Sequence, residues 1–213
     1  MDRWILASLN RWGVHEHTVV SVCSNDLVYA VILISALWFV FHIFEQRQPL
    51  QNYKKFTINL ITKSVILFVV PVGIATLISE LISQVYVRPR PFSVMPEIKL
   101  LVPHSADGGM PSHHMVFMVA LVTMIYSMNH RLSLALGLLT LISGIARIAA
   151  GIHYPSDVIA GLFLGWLIST LYLRIGPVRK MTFFYANKSI TLQRSFDKKI
   201  CGPRIGPAYL FEL

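Results

Sequence analysis

Three short stretches of the chain concentrate the side chains that are able to do chemistry. The richest stretch places Arg147, His153 and Asp157 in the order R-x5-H-x3-D between two apolar segments. Upstream, Arg88-Pro-Arg90-Pro-Phe92 and Pro111-Ser112-His113-His114 add guanidinium, hydroxyl and imidazole groups. Ionisable residues at the ends of membrane segments are costly to keep, and they commonly mark functional sites. We therefore expect the three stretches to form one site.

Several groups in these stretches suit the binding of a phosphate. The guanidiniums of Arg90 and Arg147 offer forked donors that match phosphate oxygens and stay charged at any working pH. Ser112 directly precedes an apolar helical run, so it is placed to cap that helix. The free N–H groups at such a helix start also suit an anion.

The histidines and the aspartate supply the groups that phosphoryl transfer needs. A neutral imidazole at His153 is able to attack phosphorus, and the Asp157 carboxylate four residues on is able to hold that ring in the right tautomer. A second imidazole, at His114, is able to protonate the departing oxygen. Phosphoryl transfer depends mostly on positioning and charge stabilisation, and this set supplies both without a metal. No metal or other cofactor is therefore expected.

The composition indicates a membrane protein. Of the 213 residues, 54% are hydrophobic and 14% are charged, whereas soluble domains carry roughly 25% charged residues. The formal net charge of +9 comes from scattered basic residues that partly flank apolar spans. This pattern favours contact with anionic lipid head groups and argues against a nucleic-acid partner. Cys23 and Cys201 lie far apart and indicate neither a disulfide framework nor a cysteine metal site.

The hydrophobic pattern predicts an all-α, polytopic membrane helix bundle with about five transmembrane helices and an N-terminal amphipathic helix at the interface. Gly161 and Gly165 give the last span a small-residue face for close packing. Residues 1–175 are predicted to be one membrane-embedded domain, and the basic tail 176–213 to be poorly ordered. The predicted interfacial helix covers residues 1–22, and the predicted spans cover residues 27–44, 58–85, 113–128, 132–150 and 157–175.

The positions of the basic residues predict which way the spans run. With five crossings, one set of loops holds most of the basic residues near membrane ends, and the positive-inside rule makes that set cytoplasmic. All three chemical stretches then lie together on the outer face. The cytoplasmic set is Arg47, Lys54, Lys55, Arg131, Arg174, Arg179 and Lys180.

The three stretches resemble the signature motifs of the type-2 phosphatidic acid phosphatase superfamily. The run His104-Ser-Ala-Asp107-Gly-Gly-Met-Pro111-Ser112-His113-His114 resembles the bacterial undecaprenyl-diphosphatase branch, of the bacitracin-resistance type, and the likeness extends over roughly residues 1–175. It implies hydrolysis of a lipid diphosphate at the outer face of the bacterial inner membrane. In the roles it implies, His153 is the nucleophile, Asp157 its orienting partner and His114 the general acid. The phosphate would be bound by Arg90, Arg147 and Ser112.

Two positions depart from the family pattern. A lysine usually stands six or seven residues before the arginine of the first motif, whereas this chain has Gln84 and Ser83 there, so Arg88 is the candidate replacement for the missing charge. The third position of the second motif is commonly Gly, or Asp in the undecaprenyl branch, and here it is His113. The reaction type is less affected by these departures than the choice of substrate.

Each residue also has an ordinary structural explanation. His153 would suit an interfacial loop, Arg147 would suit a side chain that reaches the head groups, and Ser156 or Asp157 would suit the N-cap of the last helix. Their joint order, spacing and side favour catalysis. Residues expected to support the site rather than to react are His104, Asp107, His113 and Glu80. Because His113 and His114 are consecutive on a helix and point in different directions, a metal site there is disfavoured.

Other functions remain open at this stage. A phosphatase for phosphatidylglycerol phosphate or phosphatidate, or a lipid phosphotransferase, would use the same chemistry. A transporter or lipid head-group binding protein would use the arginines and histidines only for recognition. The sequence shows no inverted repeat with paired broken helices, which weakens the transporter hypothesis.

Overall fold

The computed structural model describes residues 2–45, 62, 65–180 and 182. Every regular element within these residues is helical. The basic residues Arg47, Lys54, Lys55 and Lys63 and most of the predicted tail lie outside this part. The helices are α1 (Asp2–His15), α2 (His17–Glu45), α3 (Val70–Val85, preceded by a π-helical turn at Val65–Val69), α4 (Pro91–Val94), α5 (His113–Tyr126), α6 (His130–Ala149) and α7 (Pro155–Leu173).

The helix lengths confirm the predicted all-α, multi-pass membrane bundle. Within the described ranges, four helices are long and apolar enough to cross a bilayer, at His17–Phe41, Val65–Val85, His130–Ala149 and Pro155–Leu173. The fifth predicted span, α5, has 14 residues, or about 21 Å at 1.5 Å per residue. It packs against α3, α6 and α7, so it forms the centre of the bundle.

The N-terminal prediction was right in type and wrong in extent. The amphipathic helix α1 buries Leu6 and Asn10 and exposes Trp4 and Trp12, as expected for a helix at the interface. It ends at His15 rather than at residue 22, and residues 17–26 already belong to the first spanning helix. The boundary falls in the polar run His15-Glu16-His17. The prediction extended the helix through this run.

Pro71 is accommodated without ending its helix. The π-helical turn Val65–Val69 runs directly into α3, and Pro71 is buried in the first turn of that helix. A proline lacks an N–H, and a locally widened turn is one way in which a membrane helix adjusts around it.

The two glycines of α7 allow it to approach α5 closely, as predicted. A Cβ atom added to Gly161 would lie 2.7 Å from the carbonyl oxygen of Ser112, and one added to Gly165 would clash with the carbonyl oxygen of Val116. The backbone N–H of Ser112 also donates to the carbonyl of Asp157 at 3.1 Å. This close packing fixes the start of α5 against the start of α7.

The predicted tail begins with structure. Residues 176–180 are helical, and Val178 is buried against Leu67, Met124 and Met128. The remainder of the tail, apart from Thr182, lies outside the described residues.

Candidate active site

The ends of four helices bring the three chemical stretches together. Arg88 and Arg90 follow the end of α3, Ser112 and His114 stand at the start of α5, and the third stretch joins the end of α6 to the start of α7. The turn after α6 contains Gly151, whose φ of 78° is the left-handed conformation that glycine adopts most readily. A side chain there would also collide with the carbonyl of Lys99.

His153 lies at the centre of the site and is 2% exposed. Its Nδ1 lies 3.0 Å from the carbonyl oxygen of Gly109, and its Nε2 lies 3.4 Å from Nη1 of Arg90. Because a carbonyl only accepts, Nδ1 carries the hydrogen and Nε2 keeps its lone pair. Burial, together with the charges of Arg147 and Arg90, holds the pKa of His153 well below its usual value. The imidazole is therefore neutral at pH 7, as a nucleophile must be.

Asp157 contacts His153 less directly than predicted. Its Oδ2 lies 3.8 Å from Nδ1 of His153, beyond hydrogen-bond distance, and accepts instead from the backbone N–H of Tyr154 at 2.9 Å. Its Oδ1 accepts from Nη1 of Arg88 at 2.6 Å. The N-cap of α7 is Tyr154, so neither Ser156 nor Asp157 occupies that position. The Gly109 carbonyl, which the sequence analysis missed, is the direct partner of the His153 ring.

Arg90 is buried, and an internal carboxylate already engages it. Its Nε donates to Asp107 at 2.8 Å, and its Nη2 lies 2.6 Å from the same carboxylate. Its Nη1 donates to the carbonyl of Ile152 at 3.1 Å. Burial alone would raise the pKa of Asp107, but hydrogen bonds from Ser105 and Arg90 outweigh this and lower it. Asp107 is therefore ionised at pH 7 and balances the charge of Arg90.

Arg147 and Ser112 retain unused donors. Arg147 is 1% exposed, and its Nη1 donates to the carbonyl of Ser24 at 2.9 Å. Neither its Nε nor the hydroxyl of fully buried Ser112 has a hydrogen-bond partner among the described residues. Ser112 is the N-cap residue of α5, but its side chain does not cap the helix, contrary to our expectation. Buried donors without partners are costly, so both groups suit an anionic ligand.

The histidines at the start of α5 have different surroundings. His114 is solvent-exposed and lies within electrostatic reach of Arg147 and His153. His113 turns toward α3, where its Nδ1 lies 2.8 Å from the hydroxyl of Ser79 and its Nε2 lies 3.5 Å from the carboxylate of Glu80. No cluster of three or more potential metal ligands occurs in the part of the chain that the structure describes.

Arg88 belongs to a network of carboxylates. Besides its bond to Asp157, its Nη1 donates to the hydroxyl of Ser156 at 2.7 Å, and its Nη2 lies 3.4 Å from the carboxylate of Asp2. Its guanidinium lies 4.0 Å above the centre of the Tyr154 ring. These contacts occupy the donors that Arg88 would need as a replacement for the missing lysine, so they favour a supporting role over the predicted binding of phosphate.

His104 approaches the site from the loop that precedes α5. Its ring centre lies 6.4 Å from that of His153 in an edge-to-face arrangement. Burial and the charges of Arg90 and Arg147 lower the pKa of His104, so its imidazole is neutral at pH 7. His104 and Asp107 thus lie beside the predicted phosphate-binding arginines.

An apolar groove runs along the bundle next to the site. It has a volume of about 830 Å³ and is lined by residues of α2, the π-helical turn, α3 and α5, among them Ile32, Phe39, Val72 and Leu121. Glu80 also lines the groove, and Glu80 contacts His113, the neighbour of His114. The groove and the polar site around His153 therefore approach each other at the start of α5. We call this polar site, with Arg90, Arg147 and Ser112, the pocket.

The sequence that contains the three stretches matches the model of a known protein family. A model of the PAP2 superfamily matches residues 64–181. The chain belongs to the PAP2 superfamily. The match covers more than half of the chain and contains all three chemical stretches, so the family resemblance seen in the motifs is confirmed.

Two curated PAP2 relatives are similar over part of their length. The chain is 36% identical over 107 residues to undecaprenyl-diphosphatase BcrC of Bacillus subtilis (strain 168), which covers 50% of this chain and 55% of that protein. It is 27% identical over 136 residues to the bacitracin transport permease protein BcrC of Bacillus licheniformis, with 64% of this chain and 65% of that protein covered. The chain thus spans between half and two thirds of these relatives.

A solved structure shares the fold. Aquifex aeolicus LpxE superposes with a TM-score of 0.50 and 20% sequence identity, covering 67% of this chain and 86% of that structure. At this level of identity, the similarity concerns the helical architecture.

Proposed function

We propose that the protein hydrolyses undecaprenyl diphosphate to undecaprenyl phosphate and inorganic phosphate. The observation that carries the proposal is the state of His153. Its ring is buried and neutral, the Gly109 carbonyl accepts from Nδ1, and Nε2 is directed toward Arg90. A fixed neutral imidazole beside two buried guanidiniums is suited to attack phosphorus.

In the proposed first step, the Nε2 lone pair of His153 forms a bond to the terminal phosphorus. The bond between that phosphorus and the bridging oxygen breaks, and the electron pair leaves on the oxygen. The anionic diphosphate bound beside His114 favours its protonated form. His114 then donates that proton to the departing oxygen, which releases undecaprenyl phosphate. The free donors of Arg147 and Ser112 bind the phosphoryl oxygens, and Arg90 adds positive charge near the reacting atoms.

In the proposed second step, water attacks the phosphohistidine. His114, now without its proton, accepts a proton from the water. The bond between Nε2 and phosphorus breaks, its electron pair returns to the imidazole, and inorganic phosphate leaves. Asp157 and the Gly109 carbonyl keep the ring oriented and stabilise the positive charge that it gains while phosphorylated. The arginines supply the charge that a metal ion would otherwise provide.

The apolar groove supports a lipid substrate. A substrate whose phosphate lies between Arg147 and His153 has its chain near the start of α5, where the groove approaches the pocket. We place the site at the outer face of the bacterial inner membrane, because the positive-inside rule assigns the three motifs to that side. The name of the Bacillus subtilis relative supports undecaprenyl diphosphate as the substrate.

The experiment is phosphate release by the purified protein in detergent or nanodiscs. Undecaprenyl diphosphate, phosphatidylglycerol phosphate and phosphatidate are compared, each with and without EDTA. We expect release from the diphosphate to be fastest and unaffected by EDTA, and His153→Ala to abolish it. Full activity of that variant, or loss of activity in EDTA, would overturn the proposed mechanism. Faster release from a monophosphate would reassign the substrate.

A second candidate is transport, because one relative is named a bacitracin transport permease. A transporter would use the same arginines to recognise a lipid diphosphate without breaking it. Proteoliposomes test this directly. Movement of bacitracin or lipid diphosphate without phosphate release would favour transport, and phosphate release that requires His153 would favour hydrolysis.

A further inference from the structure

Among the residues that the structure describes, Asp2 is the only residue of α1 that forms an ion pair with the site. Its carboxylate lies 3.4 Å from Nη2 of Arg88 and accepts a short hydrogen bond from the hydroxyl of Ser156. Arg88 in turn donates to Asp157 at 2.6 Å. We propose that Asp2 is a positioning residue for the reaction at His153, acting through Arg88 and Asp157. This inference rests on the proposed phosphatase function.

Three neighbouring groups restrict the movement of Arg88. The side chain of Arg88 is long, flexible and 24% exposed. Without contacts to hold it, the side chain would be free to turn toward the solvent. Asp2, Ser156 and the Tyr154 ring hold the guanidinium from three directions. Held in this way, Arg88 occupies Oδ1 of Asp157 and leaves Oδ2 to face Tyr154 and the His153 ring.

Asp2 also changes the net charge beside His153. Asp2, Arg88 and Asp157 together carry one net negative charge, and without Asp2 the group would be neutral. The His153 ring becomes positive when Nε2 bonds to phosphorus, while Arg90 and Arg147 already place two positive charges nearby. A net negative group on the Nδ1 side therefore stabilises the reacting ring more than a neutral one would. Asp2 adds this charge through its contacts with Arg88 and Ser156.

Helix α1, which carries Asp2, is itself fixed to the bundle. Asn10 is 2% exposed, and its side-chain amide donates to the carbonyls of Lys99 and Ala149 at 2.8 Å each. Its side-chain oxygen accepts from the backbone N–H of Lys99 at 2.9 Å. These bonds fasten α1 to the end of α6, the helix that carries Arg147. Asp2 is thereby held in a set position relative to the site.

The test compares Asp2→Asn with Asp2→Glu in the phosphate-release assay. We expect Asp2→Asn to lower kcat about ten-fold and to change KM less than two-fold, because Asp2 does not touch the substrate. Asp2→Glu keeps the charge, so we expect its kcat to recover at least half of the difference between Asp2→Asn and the wild-type protein. Glu16→Gln removes the same charge from an exposed position close to the end of α1 and serves as the matched control with wild-type kcat.

Ser156→Ala provides a second variant, since it removes the hydroxyl that bridges Asp2 and Arg88. It is expected to lower kcat about three-fold with an unchanged KM. Wild-type kcat in Asp2→Asn, or an equal loss in Glu16→Gln, would overturn the role of Asp2. So would failure of Asp2→Glu to restore activity. An inactive wild-type protein would instead refute the proposed function, so the two failures are distinguishable.

Discussion

The two sides of the pocket differ in how far their charged and polar groups are satisfied. On one side, which we call the paired side, Arg88 and Arg90 are bound by Asp157 and Asp107. On the other, which we call the open side, Arg147 and Ser112 keep buried donors without partners within the described residues. The difference indicates that the two sides have separate roles. In the proposed mechanism, the paired side is organised before the substrate arrives, and the open side keeps its hydrogen-bonding capacity for the phosphate.

The two sides also differ in local charge. With Asp2 included, the paired side has three carboxylates for two arginines, whereas the open side has an arginine without a carboxylate partner in the described part of the chain. We therefore expect an anionic phosphoryl group to bind nearer Arg147 than the carboxylates. His153 lies between the two sides, and burial together with the charges of Arg147 and Arg90 lowers its pKa.

The largest expected effect comes from the open side. Arg147→Lys keeps the positive charge but loses Nε–H and the fork, so we expect kcat/KM to fall about 100-fold, as when a donor to the transition state is removed. The measurement is phosphate release at several substrate concentrations. Arg131→Lys, at an exposed position on the same helix, is the matched control. A loss of less than three-fold would show that the open side does not bind the phosphate.

A smaller effect is expected from Ser112→Ala. The hydroxyl has no partner in the described structure, so its removal breaks no internal bond and the melting temperature is expected to stay unchanged. We expect kcat/KM to fall about ten-fold, since one hydrogen bond to a charged group is worth about 1.5 kcal/mol. Ser169→Ala is the matched control, because Ser169 is also a buried serine without a partner, far along α7 from the site. Equal kinetics in both variants would contradict the assignment.

The smallest effect is expected on the paired side, from Asp107→Asn. Asp107 is ionised and binds two nitrogens of Arg90, so it competes with a phosphate for that guanidinium. We expect the inhibition constant of inorganic phosphate to tighten by about three-fold, a modest change because the carboxylate is largely exposed. Glu97→Gln, in the same loop and also exposed, is the control. Weaker inhibition would mean that Asp107 helps Arg90 to bind phosphate instead of competing with it.

The sequence analysis identified the arginines of both sides, together with Asp107, Asp157 and Ser112, but it missed several of the contacts that these residues make. Arg147, Ser112 and His114 were identified from residue type and from their places at helix ends. The contact of Gly109 with His153 was missed because it uses a backbone carbonyl, which carries no signature in residue type. Asp2 was missed because it is distant in sequence and reaches the site only once α1 packs on the bundle.

The helix predictions were also right for some features and wrong for others. The spans were predicted because they are long and apolar, and the contact of α7 with α5 was predicted from Gly161 and Gly165. The boundary between α1 and α2 was not, although it falls at the polar run His15-Glu16-His17. Helical backbone hydrogen bonds from Glu16 to Trp12 and from Val20 to Glu16 continue across it, so the break between the two helices is slight. The hydrogen-bond partners of Asp157 were not predicted either, because spacing alone does not decide which of several neighbouring donors a carboxylate binds.

The measurement that tests the central claim most directly is rapid-quench trapping of the phosphorylated protein. Undecaprenyl diphosphate labelled with ³²P at its terminal phosphate is mixed with the protein and quenched in base, in which phosphohistidine is stable. The account predicts label on His153, identified by mass spectrometry, which forms and decays at rates consistent with turnover, and no label in His153→Ala. Full-rate phosphate release with no labelled protein at any quench time, or label on another residue, would contradict it.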